Sequence, residues 1–360
     1  MIIKTPKLYI SGKDTIKQAG QYIKEYSRKP LIIGSEKSLD AAYEELKKSL
    51  EANGIASDNT DVFKGFPSEN KFKFYLDRID ETGADAIIAL GGGRVLDTAK
   101  AVADLADIPV ITVPTIAATC AAWAGLTIQY DDEGSFVKAR PLKKSPELVI
   151  ADTRIIFSAP ARYLFAGVVD TFAKYYEIRP TVEHYKNSLN LDIAFYSSRL
   201  AYEKLKKNVF KAIKDAENGI FEQHAKDVVD AIIYLAGFAG SFQSEDGYIS
   251  FAHPFYHISA RFPNTRHKLH GEKVAYGILA QLFLEKKELS EITDVVNTFD
   301  EYKNAFTLSD IGFDRENTDE LKDLAYQAKT EFNNIIWNED EIVNAILDAD
   351  SLVKRVVTPA

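Results

Sequence analysis

The chain has 360 residues, 46% of them hydrophobic and 27% charged, with a formal net charge of −9. That length supports two domains with full cores, and the acidic balance excludes the basic footprint of a nucleic-acid binder. A single cysteine, Cys120, leaves no intrachain disulfide and fits a reducing compartment. With no apolar leader after Met1 and no run near the roughly 20 apolar residues of a membrane span, the sequence predicts a cytoplasmic protein that contacts no membrane.

The first part of the chain alternates short apolar runs with amphipathic stretches. Strands are predicted at 31–34, 61–64, 86–90, 109–113, 126–130 and 148–151, with helices at 39–53, 72–81 and 98–105. In the first helix Leu39, Ala42, Leu46 and Leu50 recur at helical spacing. Strands separated by helices imply parallel pairing in an α/β layer. Asp131-Asp-Glu-Gly134 reads as a turn. Beyond about Ser158 the pattern is helical throughout, at 166–177, 189–206, 225–242, 274–287 and 340–356. The stretch Ala231 to Gly240 is apolar around most of its circumference and must be buried on most sides. The expected organisation is therefore an α/β domain over 1–157 with a parallel sheet, followed by an all-α domain over 158–360.

Two motifs carry chemistry. Gly91-Gly92-Gly93 lies between a buried strand and a helix start. Glycines there admit a phosphate to the main chain, and the helix N-terminus offers N–H groups and a positive dipole end. The pattern is neither G-x-G-x-x-G nor a Walker A loop, and a tight structural connection would look the same. The second motif is a histidine cluster. Four of six histidines fall between His253 and His270, in His253-Pro-Phe-Tyr-His257 and His267-Lys-Leu-His270-Gly-Glu-Lys-Val. Imidazole is a common metal ligand. If the first string is helical, His257 shares a face with His253; His267 reads as a solvated loop residue.

Gly91-Gly-Gly-Arg-Val-Leu-Asp-Thr-Ala-Lys100 resembles the cofactor loop of the glycerol dehydrogenase group of the iron-containing, metal-dependent alcohol dehydrogenase superfamily. In the same order, Val113-Pro-Thr-Ile-Ala-Ala-Thr119 is similar to its nicotinamide-side loop, and Phe165 to Glu177 to its aspartate segment. Ala252-His253 and His270-Gly-Glu-Lys-Val-Ala-Tyr-Gly277 resemble its histidine blocks. The resemblance implies the dehydroquinate synthase-like architecture, a dinucleotide-binding domain before a helical one, with the active site in the cleft between them. It also implies a homo-oligomer acting on a small molecule. The implied metal ligands are Asp170, His253 and His270. The implied cofactor contacts are Gly91, Gly92, Gly93, Arg94, Asp97, Thr115, Thr119, Leu126 and Tyr130.

Two departures shape the expected chemistry. Where iron-type members have a fourth ligand, a histidine four residues after the aspartate, this chain has Lys174. Three ligands with one open position suit zinc first, with iron, nickel or manganese as alternatives. Where glycerol dehydrogenases keep an aspartate, this chain has Cys120, in a string closer to the hydroxycarboxylate dehydrogenase branch. Loss of that carboxylate suits an anionic substrate. The expected function is thus a metal-dependent NAD- or NADP-linked oxidoreductase interconverting a 2-oxo acid and a 2-hydroxy acid. Cys120 would line the substrate pocket and His257 would relay a proton. Glycerol dehydrogenase is the alternative; a dehydroquinate synthase-like lyase or a non-catalytic nucleotide-binding protein are the readings of another class. Glu36 and Lys37, just after the strand at 31–34, point in opposite directions on NAD against NADP.

Overall fold

The structure is a computed structural model, and it describes residues 3–184, 188–242 and 249–357. In chain order the strands are β1 (Leu8–Gly12), β2 (Pro30–Gly34), β3 (Thr60–Val62), β4 (Ala86–Gly91), β5 (Val110–Pro114), β6 (Leu126–Tyr130), β7 (Phe136–Pro141) and β8 (Leu148–Asp152). The first helices are α1 (Ala19–Ile23), α2 (Glu36–Glu51), α3 (Glu69–Thr82), α4 (Gly93–Ala106) and α5 (Thr153–Ser158). There follow α6 (Ala161–His184), α7 (Leu189–Glu217), α8 (Gln223–Asp230), α9 (Ala236–Gly240) and α10 (Ala252–Ser259). The last are α11 (His270–Leu284), α12 (Leu289–Glu301), α13 (Leu308–Ile311), α14 (Thr318–Glu331) and α15 (Glu339–Val357). No helix among the described residues is long and apolar enough to cross a membrane.

The chain divides into two compact units, Met1–Leu164 with Glu203–Ser241, and Phe165–Tyr202 with Phe242–Ala360. The single boundary near residue 157 read from the sequence differs from this division. After Tyr202 the chain returns to the first unit, which helical content alone does not reveal.

The first unit is built on a six-stranded sheet in the order β1-β8-β5-β4-β2-β3, parallel throughout. Parallel strands covered on both faces are apolar at every position. Accordingly β2, β4, β5 and β8 are buried end to end. On one face Ile32, Ile88, Leu90, Ile111, Val113, Leu148 and Ile150 share a buried cluster with Ala42, Leu46 and Leu50 of α2 and with Ile16, Ile23 and Ile155. From β2 the chain steps outward to β3, and from β4 it steps the other way to β5. The winding therefore reverses between β2 and β4, where open α/β sheets bind ligands beyond the strand C-termini. The glycine loop stands there.

Two strands escape the sequence reading. β1 is an edge strand in register with β8, and its partly exposed residues give no strong alternation. The turn at residues 131–134 leads into β7, which pairs antiparallel with β6, and not directly into β8. Only Phe136 of β7 is buried, so the strand carries almost no hydrophobic signal. The helix expected at 225–242 is α8 and α9 joined by a π turn at Ala231–Leu235. The stretch is largely buried, as its apolar surface requires, but Tyr234 is exposed.

The second unit is helical. α10 and α11 cross so closely that a Cβ on Gly277 would lie 2.7 Å from the Ala252 carbonyl oxygen. α11 meets α6 closer still: a Cβ on Gly271 would lie 2.0 Å from the Ala166 carbonyl oxygen.

Candidate functional site

Three side chains distant in sequence meet in the second unit. Asp170 lies on α6, one helical turn after the Ala166 contact, and is 2% exposed. His253 is in the first turn of α10, and His270 is the first residue of α11, next to Gly271. His270 Nε2 stands 2.8 Å from Asp170 Oδ1, and His253 Nε2 stands 3.4 Å from the same oxygen. The three ligand atoms lie within 4.8 Å of one another. Donors about 2 Å from a shared tetrahedral ion are separated by about 3.3 Å, so the triangle has metal-site dimensions.

Glu177, two turns along α6 from Asp170, is a partner the sequence reading missed. Its Oε1 accepts the His253 main-chain N–H (2.8 Å), and its Oε2 is 2.5 Å from His253 Nδ1. A proton on Nδ1 leaves the Nε2 lone pair aimed at the triangle, the carboxylate–histidine arrangement that orients a metal ligand. The seven-residue spacing from Asp170 on one helix face is the signal that could have found it.

The electrostatics call for a cation. Burial would raise the Asp170 carboxyl, but His270, the hydrogen bonds from both imidazoles and the Lys174 charge hold it well below the usual carboxylate range. Burial would lower His253, yet the Glu177 and Asp170 carboxylates push it up to about 9. His257 does share the α10 face, its ring centroid 6.5 Å from that of His253 and stacked 5.9 Å from Phe332. Burial and the nearby charges of His253, His270 and Arg261 push it well below its ordinary value. Tyr256 lies edge-on to His270 with centroids 4.0 Å apart. His267 is exposed and stands outside the triangle.

The first unit holds the other residues named from the sequence. Gly91 ends β4 and Gly92 caps α4 with no side-chain hydrogen bond, whereas Ser35 and Ser68 cap α2 and α3 through their hydroxyls. The first-turn N–H groups of α4, at Gly93, Arg94 and Val95, are thus left for an anion. A Cβ on Gly92 would lie 2.5 Å from Ile116 Cδ1, and one on Gly93 would come no nearer than 4.0 Å to Ala121. Arg94 stacks its guanidinium 4.3 Å over Phe66, which in turn sits 5.9 Å from Tyr130. Thr115 N–H donates to Gly91 O (3.1 Å), and Thr119 Oγ1 accepts the Ala121 N–H (3.2 Å). Cys120 is half-buried, and its carbonyl accepts the Trp123 N–H (2.9 Å) in a turn. Leu126 opens β6, its carbonyl accepting from Lys100 (2.6 Å). Asp97, offered by the sequence as a cofactor contact, is buried and directs Oδ1 to Lys100 Nζ at 3.0 Å. Glu36 pairs with Lys64 at 2.9 Å on the surface.

The second unit thus holds a donor set of metal-site dimensions, and the first holds a sheet whose winding suits a dinucleotide. Residues 6–153 match the family model described as iron-containing alcohol dehydrogenase. A glycerol dehydrogenase from Escherichia coli O6:H1 is 31% identical over 363 residues, covering 98% of both chains. Hydroxycarboxylate dehydrogenase A of Escherichia coli K12 is 33% identical over 265 residues, covering 72% of each. Among solved structures, glycerol dehydrogenase from Schizosaccharomyces pombe superposes with a TM-score of 0.86 at 25% identity, covering 98% of this chain and 91% of that one. The chain belongs to the iron-containing alcohol dehydrogenase family, in its glycerol dehydrogenase-like group. It is an oxidoreductase, and the family implies NAD(P) and one divalent metal. The residues present fit both: a buried carboxylate and two imidazoles converge for the metal, and an uncapped helix start follows the glycine strand for the dinucleotide.

Because Glu177 sets the His253 tautomer, Glu177→Gln is expected to weaken metal binding by about 10- to 100-fold while the protein stays folded. Competition against a chromophoric chelator measures this; unchanged affinity would reduce Glu177 to a packing residue.

Proposed function

We propose that the protein interconverts a small vicinal polyol and its hydroxy-carbonyl form, moving a hydride to or from NAD(P), with zinc held by Asp170, His253 and His270. The observation that carries the reading is the convergence of those three side chains in one triangle. The glycerol dehydrogenase relatives favour a polyol over the 2-oxo acid expected from the sequence. One carboxylate and two imidazoles would hold the ion as three protein ligands, which is the pattern of catalytic zinc. When bound, the ion supplies Lewis-acid stabilisation of the alkoxide or carbonyl oxygen. Asp170 brings the anionic ligand, Glu177 holds the His253 ring, and His257 relays the hydroxyl proton from its place one turn along α10. The glycine loop and Arg94 seat the pyrophosphate, and Cys120 lines the substrate pocket.

A second reading keeps the machinery and takes a 2-oxo acid. It is favoured by Cys120 in place of an aspartate and by the hydroxycarboxylate dehydrogenase relative. Initial rates of NADH and NADPH oxidation with dihydroxyacetone, hydroxyacetone, propanal and a set of 2-oxo acids separate the two. The polyol reading expects kcat/KM for dihydroxyacetone to exceed that for propanal on the order of 10²-fold, because a site that binds the second hydroxyl rejects an analogue without it. A 2-oxo acid with a higher kcat/KM than every hydroxyketone would replace it with the second reading.

A further inference from the structure

The segment after β5, residues 115–125, carries Thr115, Thr119 and Cys120 and is tied to the β4–α4 unit near both ends. At the glycine loop, Thr115 N–H donates to Gly91 O (3.1 Å), and Ile116 fills the space that a side chain at position 92 would need. Two turns into α4 an ammonium group makes the tie. Lys100 Nζ, in a residue 1% exposed, donates to Ala124 O (3.1 Å) and Leu126 O (2.6 Å), and pairs with Asp97 Oδ1 at 3.0 Å. Three ammonium protons thus meet three oxygens. Asp97 reaches the same segment, Oδ2 accepting the Ile128 N–H (3.3 Å) and its carbonyl accepting from Thr127 Oγ1 (2.9 Å). The other side is fixed as well. Thr112 Oγ1 donates to Ala122 O (2.8 Å), and Trp123 packs on Gly237 and donates from Nε1 to Ser241 Oγ (3.3 Å).

A buried ion pair is a poor source of stability, since packed apolar side chains of similar volume serve as well or better. What apolar side chains cannot do is bind two main-chain carbonyls and an amide of a neighbouring segment in fixed directions. We infer that Asp97 and Lys100 are positioning residues for the cofactor: they hold residues 114–128 in register with the α4 N-terminus. The helix that meets the pyrophosphate thereby also sets the segment that meets the nicotinamide half. Both side chains are buried, Asp97 7% and Lys100 1% exposed. The inference rests on the dinucleotide reading of the glycine loop.

The test compares ligands on the full-length protein. NADH and NADPH are titrated by fluorescence, and ADP, the half common to both, by calorimetry. Lys100→Met is expected to raise the Kd of the preferred reduced cofactor about tenfold or more, through misplacement of its nicotinamide contacts, and to leave the ADP Kd within about twofold. Because Lys100→Met alone strands the Asp97 carboxylate, Asp97→Asn/Lys100→Met is measured beside it, with melting temperatures for both. A selective loss of reduced-cofactor affinity in the folded double variant supports the inference. Equal weakening of cofactor and ADP, or unchanged cofactor affinity, overturns it. Wild-type protein that binds none of the three ligands would overturn the dinucleotide reading, and this inference with it.

Discussion

Asp170→Asn is expected to weaken metal binding by more than about 100-fold and to remove activity with it, since loss of a mere supporting residue around a metal already costs 10- to 100-fold. The amide keeps the volume of the carboxylate, so the packing of α6 around this 2% exposed position survives. What disappears is the anion. In the native site His253 and His270 both direct Nε2 at Asp170 Oδ1, and the carboxyl is held well below its usual range. It therefore stays ionised and ready to ligate at any physiological pH. An asparagine oxygen is a neutral, weaker ligand, and its NH₂ group cannot ligate at all. Metal content by mass spectrometry of the native protein, beside circular dichroism, reads the outcome. An asparagine variant that retains one metal per chain at unchanged affinity would remove Asp170 from the site.

The second large effect is mechanical. Gly271→Ala places a methyl group 2.0 Å from the Ala166 carbonyl oxygen, and main chain on both sides prevents a local escape. α11 must move away from α6, and His270, the adjacent residue, moves with it. Overpacking of this kind costs about 3 kcal/mol. The melting temperature of metal-free protein should fall, and zinc affinity should fall further than stability alone accounts for, because the Asp170–His270 distance is set by this crossing. Thermal denaturation with and without zinc, together with a chelator competition, separates the two effects. Unchanged melting and unchanged zinc affinity would show that the crossing does not position the ligand.

What the sequence made legible, and what it hid, follows from physical signal strength. The strand–glycine–helix unit at β4 and α4 is plain because both sides of β4 are buried and the glycines interrupt two apolar patterns. The histidine spacing suggested a metal, and α10 does place His253 and His257 on one face. Asp170, by contrast, is one carboxylate among 53 acidic residues. Only resemblance to a family singled it out. Glu177 passed unnoticed because its importance depends on α10 docking across α6, a contact 76 residues apart in sequence. Lys100 reads as an ordinary helix lysine until β6 is seen to bury it. β7 hides for the opposite reason, since its exposed residues lack alternation. The substrate was the least legible of all: Cys120 argued for a 2-oxo acid, whereas the relatives favour a polyol.

X-ray absorption at the zinc edge of protein loaded with one equivalent of metal is the most direct measurement of the metal centre. Stoichiometric uptake is expected, with two imidazole nitrogens and one carboxylate oxygen at about 2.0–2.2 Å and a light-atom fourth ligand that changes when substrate is added. No stoichiometric binding, or a sulfur ligand at about 2.3 Å in place of an imidazole, would contradict a centre made by Asp170, His253 and His270.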